Sequence, residues 1–109
     1  MRSDGAYLHF YVHENRKHGG ILLYEWLLEQ AKRAGIHGGS AFRAIAGYGR
    51  HGVLHEQHFF ELAGDLTIKV EFIVTAEEAR HLLDLVKREK VHIFYSMAQG
   101  EFGSLNGDG

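Results

Sequence analysis

Between positions 66 and 74 the apolar residues Leu66, Ile68, Val70, Phe72 and Val74 alternate with Thr67, Lys69 and Glu71. A period of two is the mark of a β-strand with one buried face, and a slip of one residue would turn the whole apolar set toward water. The next residues change period at once. Thr75 and Glu78, three positions apart, form a capping box, and Ala79, Leu82, Leu83 and Val86 then recur at helical spacing. Lys87, Arg88 and Lys90 complement the negative end of that helix, which is expected to finish near Glu89. A strand that runs directly into an amphipathic helix makes a sheet with a helix lying on its apolar side.

The first half of the chain repeats the theme. Residues 7–13 alternate, with Leu8, Phe10 and Val12 on one side and Tyr7, His9, Tyr11 and His13 on the other. The polar stretch ENRKHGG follows, and then Leu23, Leu27, Ala31 and Ala34 recur at helical spacing beside Tyr24 and Leu28, up to a C-capping Gly35. Leu22 and Trp26 fall on the polar side of this helix, near Arg33, where they either meet a partner or sit exposed. Residues 40–49 alternate again, with Phe42, Ala44, Ala46 and Tyr48 on one face, and residues 91–97 read as a last strand. Residues 98–109 are so rich in glycine and polar side chains that a flexible tail is expected. The order is βαββαβ, an α+β chain of the ferredoxin-like kind, in one domain spanning residues 1–97 with two helices on one face of a four-stranded antiparallel sheet.

With the alternating apolar sets, that of Phe42 included, all facing the helices, such a sheet leaves its other face bare. That face is expected to carry Tyr7, His9, Tyr11, Thr67, Lys69, Glu71, His92 and Phe94, a mixture of rings and charge that suits a desolvated subunit interface, so the chain is expected to form a homo-oligomer. A sheet wetted on one side is the plainer alternative. The net charge of −2 disfavours nucleic acid as a partner. No apolar run is long enough for a membrane span, and no signal-peptide core is seen, which predicts a soluble, cytoplasmic protein. The absence of cysteine leaves histidine and carboxylate as the available metal ligands.

Several short pieces together carry a resemblance. Gly19 and Gly20, then Leu23, Tyr24 and Glu25, then Gly35 and Gly38, then Arg43, Gly47 and Gly49, with His55 beyond, follow the pattern GG, LYE, GxxG and RxxxGxG. This set resembles a PII-like family long known only as a domain of unknown function, over most of residues 6–97. Where that family often has Asp-Leu-Pro, this chain has Asp65, Leu66 and Thr67. The resemblance implies a homotrimer whose sheets pack round a central axis, adenine nucleotides bound in clefts between subunits, and a long connection between the second and third strands. That connection corresponds to the T-loop with which PII proteins contact a transporter, channel or enzyme. The glycine-rich phosphate loop that PII proteins proper place between their second helix and last strand is missing here, since only Glu89 and Lys90 stand there.

A small anionic effector, an adenine nucleotide being the one implied, must then find other partners. The candidates are the backbone amides of Gly19 and Gly20 at the start of the first helix, with Lys17 beside them, and the side chains of Arg43 and Arg50. Tyr48 and Gly49, with Gly47, form the root through which such a ligand would act on the loop. The plainer reading gives Gly19 and Gly20 a tight loop before the first helix and Arg43 a carboxylate partner at an interface. Residues 50–58 are expected to be a mobile arm that orders on a target protein, with Val53 and Leu54 as its apolar anchor, Arg50 and Glu56 setting orientation, and His51, His55 and His58 offering contacts that change with pH. Those three histidines, with Glu56 or Glu61 as a further ligand, are also the alternative metal set of a trimer similar to the CutA proteins. No nucleophile elbow, P-loop or zinc-protease helix is present, and no catalytic residues are expected.

Overall fold

The computed structural model describes residues 2–48 and 66–107. The elements are β1 (Arg2–His13), β2 (Lys17–His18), β3 (Ile21–Leu22), α1 (Leu23–Arg33), β4 (Ser40–Arg43), β5 (Thr67–Thr75), α2 (Ala76–Arg88) and β6 (Phe94–Gly103). Four of the strands form one antiparallel sheet in the order β4-β5-β1-β6, while β2 and β3 make a separate small hairpin. The architecture is therefore the expected α+β one, with the first strand in the interior of the sheet and both helices on one side.

The alternating pattern of β1 and β5 decides which side that is. Leu8 lies opposite Phe72, Phe10 opposite Val70 and Val12 opposite Ile68, and all six are buried. Leu23 and Leu27 of α1 and Leu82 and Val86 of α2 close over them, and the Phe10 and Phe72 rings meet edge-on at 6.3 Å. Each of these side chains contributes on the order of 2 kcal/mol through removal from water.

The helix ends follow their sequence signals. Thr75 accepts the Glu78 amide while the Glu78 carboxylate accepts the Thr75 amide, at 3.1 and 2.9 Å, which completes the capping box. α1 has no such side-chain cap. Its first amide, that of Leu23, donates instead to the Arg16 carbonyl at 2.7 Å, so the hairpin loop serves as the cap. At its other end Gly35 adopts φ +87°, Ile36 N–H bonds to Ala31 and Gly35 N–H to Lys32, the paired bonds of a Schellman motif. Gly35 thus stands one place beyond the cap residue, Ala34. The C-terminus of α2 has the same pair of bonds, Val91 to Val86 and Lys90 to Lys87, with Lys90 at φ 58° in the glycine position. A side chain in this left-handed conformation is strained. Lys90→Gly is accordingly expected to raise stability by about 0.5–1 kcal/mol, read as a shift of the urea midpoint at constant slope.

Several expectations are corrected. Trp26 is 8% exposed, covered by His18 of the β2–β3 hairpin in an edge contact at 4.6 Å, so it meets this chain's own loop. β4 ends at Arg43, because its partner β5 begins at Thr67; only the Ala44 amide reaches one residue further, to the Thr67 carbonyl at 2.8 Å. Phe42, opposite Lys69, lies on the open face and not on the helix side. β6 starts at Phe94, leaving His92 outside the sheet, and continues to Gly103, through the first half of the segment expected to be a flexible tail. The pairing of β6 runs from Tyr11–Phe94 to Arg2–Gly103. Midway along it Gly5 faces Gly100, and the Tyr7 ring lies over Gly100 while the Phe102 ring lies over Gly5. Aromatic rings covering a glycine pair supply the apolar contact that the glycines lack.

Candidate functional site

Two surfaces hold the residues singled out in the sequence. The first is the open sheet face. Cross-strand register places Tyr7, His9 and Tyr11 of β1 beside Lys69, Glu71 and Ile73 of β5, Phe42 of β4 and Phe94 and Ser96 of β6. Its polar groups are paired within the face. His9 Nε2 lies 3.0 Å from Glu71 Oε2, Tyr11 Oη 3.2 Å from Ser96 Oγ, and Lys69 Nζ 5.2 Å from the centre of the Phe42 ring. Tyr11 also packs on Phe94 at 5.5 Å. With these polar groups partnered inside one protomer, the face presents rings, and its removal from water costs less than the sequence alone suggests.

The second surface is the end of the sheet where β4 stops and β5 begins. Arg43 Nε lies 2.9 Å from Glu14 Oε1, and the Arg43 side chain is 66% exposed while that of Glu14 is 13% exposed. The same carboxylate accepts the Leu66 amide through Oε2 at 3.3 Å, and the Glu14 amide donates to the Leu66 carbonyl at 2.8 Å. One glutamate therefore joins the end of β1 to the last residue of β4 and to the residue before β5. Nothing in the polar run ENRK marked Glu14 out. Its importance follows from tertiary pairing between residues far apart in sequence.

The remaining candidates divide. Lys17 lies in β2, exposed, opposite Leu22. Gly19 and Gly20 form the two-residue turn of the β2–β3 hairpin with φ +61° and +88°, a turn with two positive φ values that favours glycine at both positions. α1 begins only at Leu23, so the Gly19 and Gly20 amides are not its N-terminal amides, which corrects that placement. Gly47 and Tyr48 follow β4 on the surface, Tyr48 at 78% exposure and Ile45 at 96%. Gly49, Arg50, His51, Val53, Leu54, His55, Glu56, His58 and Glu61 lie outside the described residues. Among the described residues no group of three or more His, Asp or Glu is placed to hold a metal ion. Nor is any described helix long and apolar enough to cross a membrane.

His18 is a residue the sequence did not single out. Besides covering Trp26 it lies 3.2 Å from Glu89 Oε1, tying the hairpin to the end of α2. A groove of about 720 Å³ runs between α2 and β6, lined by Arg80, Leu83 and Met97. It also carries Asp4 and Glu101, so its charge is unsuited to a phosphate, and it borders the sheet edge opposite to Arg43.

A four-stranded antiparallel sheet of this order, helices on one face and the other open, is the fold of PII-like signalling proteins. One of these, from Thermus thermophilus, superposes with a TM-score of 0.63 at 17% identity, over 93% of this chain and 90% of that one. CPII of Thiomonas intermedia K12, a nitrogen regulatory PII-like protein solved with ADP, AMP and bicarbonate bound, gives 0.64 at 16% identity over 96% and 99% of the two chains. Its apo form gives 0.54 at 15% identity over 94% and 98%.

The chain belongs to the DUF190 family, described as Uncharacterized ACR, COG1993, whose profile matches residues 5–97. It is 35% identical over 80 residues to a UPF0166 protein of Aquifex aeolicus, covering 73% of this chain and 76% of that one. A UPF0166 protein of Methanocaldococcus jannaschii is 33% identical over 76 residues, covering 70% and 69%.

Proposed function

We propose that the protein is a PII-like regulatory sensor. Three copies associate through the open sheet faces, a small anionic effector binds between subunits beside Arg43, and the connection from β4 to β5 carries the signal to a target protein. The observation that carries this reading is Arg43. In a fold shared with a protein solved with ADP, AMP and bicarbonate, an exposed guanidinium stands at the last residue of β4, where the connection departs. A planar guanidinium suits phosphate and carbonate oxygens alike.

Lys17 and the Gly19–Gly20 turn are the further anion partners, contributed across the subunit boundary, and Gly47, Tyr48 and Gly49 are the root that couples the ligand to the loop. The role is regulatory and not catalytic, since the fold offers positioning and charge but no described nucleophile with an adjacent base in a closed pocket. Such a sensor works in the cytoplasm, where adenine nucleotides and bicarbonate are available as signals.

Titration calorimetry with ADP, AMP and bicarbonate tests the effector. Binding of at least one of them is expected, weakened about tenfold or more in Arg43→Met, since a lost charge-assisted contact is worth about 1.5–3 kcal/mol. Silence from all three, in wild type and in every variant of the site, would leave the protein without the sensor role. Equal binding by Arg43→Met would move the site elsewhere.

A further inference from the structure

The group that occupies Arg43 in this structure belongs to the protein itself. We propose that Glu14 is a tethered occupant of the anion site, which an incoming anion must displace from Arg43, and that this displacement is felt at Leu66. The inference rests on the effector site proposed at Arg43 and adds to it the residue that sets affinity and couples the site to the start of β5.

The geometry supplies the competition. Glu14 Oε1 holds Arg43 through Nε at 2.9 Å, the edge of the guanidinium from which Nε and an Nη together make a paired contact with an oxyanion. A phosphate or bicarbonate seeking that edge meets a carboxylate already on it. An anion that used only the two terminal nitrogens would still lie close to the negative charge of Glu14, and like charges at such range repel in a partly desolvated site.

Displacement has a second consequence, because Glu14 is not on the surface. Its side chain is 13% exposed, and a carboxylate so enclosed that loses its cation must move toward water. The other oxygen of that carboxylate is the acceptor of the Leu66 amide at 3.3 Å. Moving the carboxylate leaves this amide without its side-chain partner. The backbone contact from the Glu14 amide to the Leu66 carbonyl, 2.8 Å, is unaffected by the side chain and keeps the two strands in register. The result is a local event at the start of β5 and not an unfolding of the sheet. Reciprocity requires that whatever fixes Leu66 against Glu14 also weakens the anion.

Glu14→Gln isolates the effect, since the amide carbonyl still accepts from Leu66 while the negative charge on Arg43 is gone. Titrations of the full chain with ADP, bicarbonate and inorganic phosphate are compared between wild type and Glu14→Gln, with hydrogen exchange of the Leu66 amide followed with and without ligand. The variant is expected to bind about tenfold more tightly, the scale of one removed like-charge contact near a surface. In the wild type, saturation with the anion is expected to speed Leu66 exchange, and in Glu14→Gln to leave it unchanged. Glu14→Asp, which keeps the charge but falls short of Arg43, serves as the second variant and is expected to bind between the two.

Equal or weaker binding by Glu14→Gln, with wild type binding normally, overturns the tethered occupant and leaves the effector site standing. Binding by the variant alone supports the proposal, the wild-type site being then closed by its own carboxylate. Silence from all three proteins overturns both readings.

Discussion

Gly5→Val is expected to lose about 3 kcal/mol or more of stability, enough to threaten the folded state of a domain this small. A Cβ at this position would collide with the Val74 carbonyl oxygen and lie 2.6 Å from the Phe102 ring. The carbonyl belongs to β5, so it cannot retreat without disturbing the β1–β5 ladder, in which Ala6 pairs with Val74. The ring could retreat, but only by uncovering the Gly5–Gly100 pair. Urea unfolding followed by circular dichroism measures the loss. Gly38→Ala is the control, since nothing lies within 4 Å of a Cβ there. A Gly5→Val midpoint within the error of wild type would show that β6 does not pack on β1 as described.

Tyr11→Glu is expected to abolish the proposed trimer while leaving the protomer folded. Tyr11 stands among the rings of the open face, against Phe94 at 5.5 Å and with its hydroxyl 3.2 Å from Ser96. It is only partly buried in one protomer, so a carboxylate is tolerated there in water. Buried between subunits the same carboxylate would lose its hydration, and pairing with Lys69, which stands opposite on β5, would offset only part of a cost of several kcal/mol at each of three equivalent positions. Light scattering should give three times the 12.3 kDa chain mass for wild type and the single chain mass for the variant. A wild-type protein of single-chain mass at micromolar concentration removes the trimer altogether, and a variant that stays trimeric places Tyr11 outside the interface.

The same residues show what a sequence can carry and what it cannot. β1, β5 and α2 were legible because each announces itself locally, by a period of two or by Thr75 and Glu78 at capping distance. β6 beyond Met97 was not, since Gly100 and Gly103 weaken a strand judged by itself, and the order comes from Tyr7 and Phe102 lying across glycines contributed by two strands far apart in the chain. Phe42 was misassigned for a related reason: a short edge strand owes its facing to the register with Lys69, not to its own apolar count. At the candidate site Arg43 was singled out by pattern as a candidate, whereas Glu14 looked like any residue of a charged loop. What distinguishes it is enclosure and three contacts with two distant residues, Arg43 and Leu66, and neither is written in residues 14–17.

Strand β1 precedes the other described strands yet lies between β5 and β6, the two described strands furthest from it in sequence. The hydroxyl of Tyr7 reaches the carbonyl of Glu101, 94 residues away. Neither of the ladders described for β1 can form until β5 and then β6 have been made, so the nascent N-terminal half must persist with an alternating apolar strand still lacking both of these partners. Closing loops of this size precedes any reward from pairing, which makes the folding of this small domain slow for its length and leaves it most exposed to aggregation before its last strand emerges.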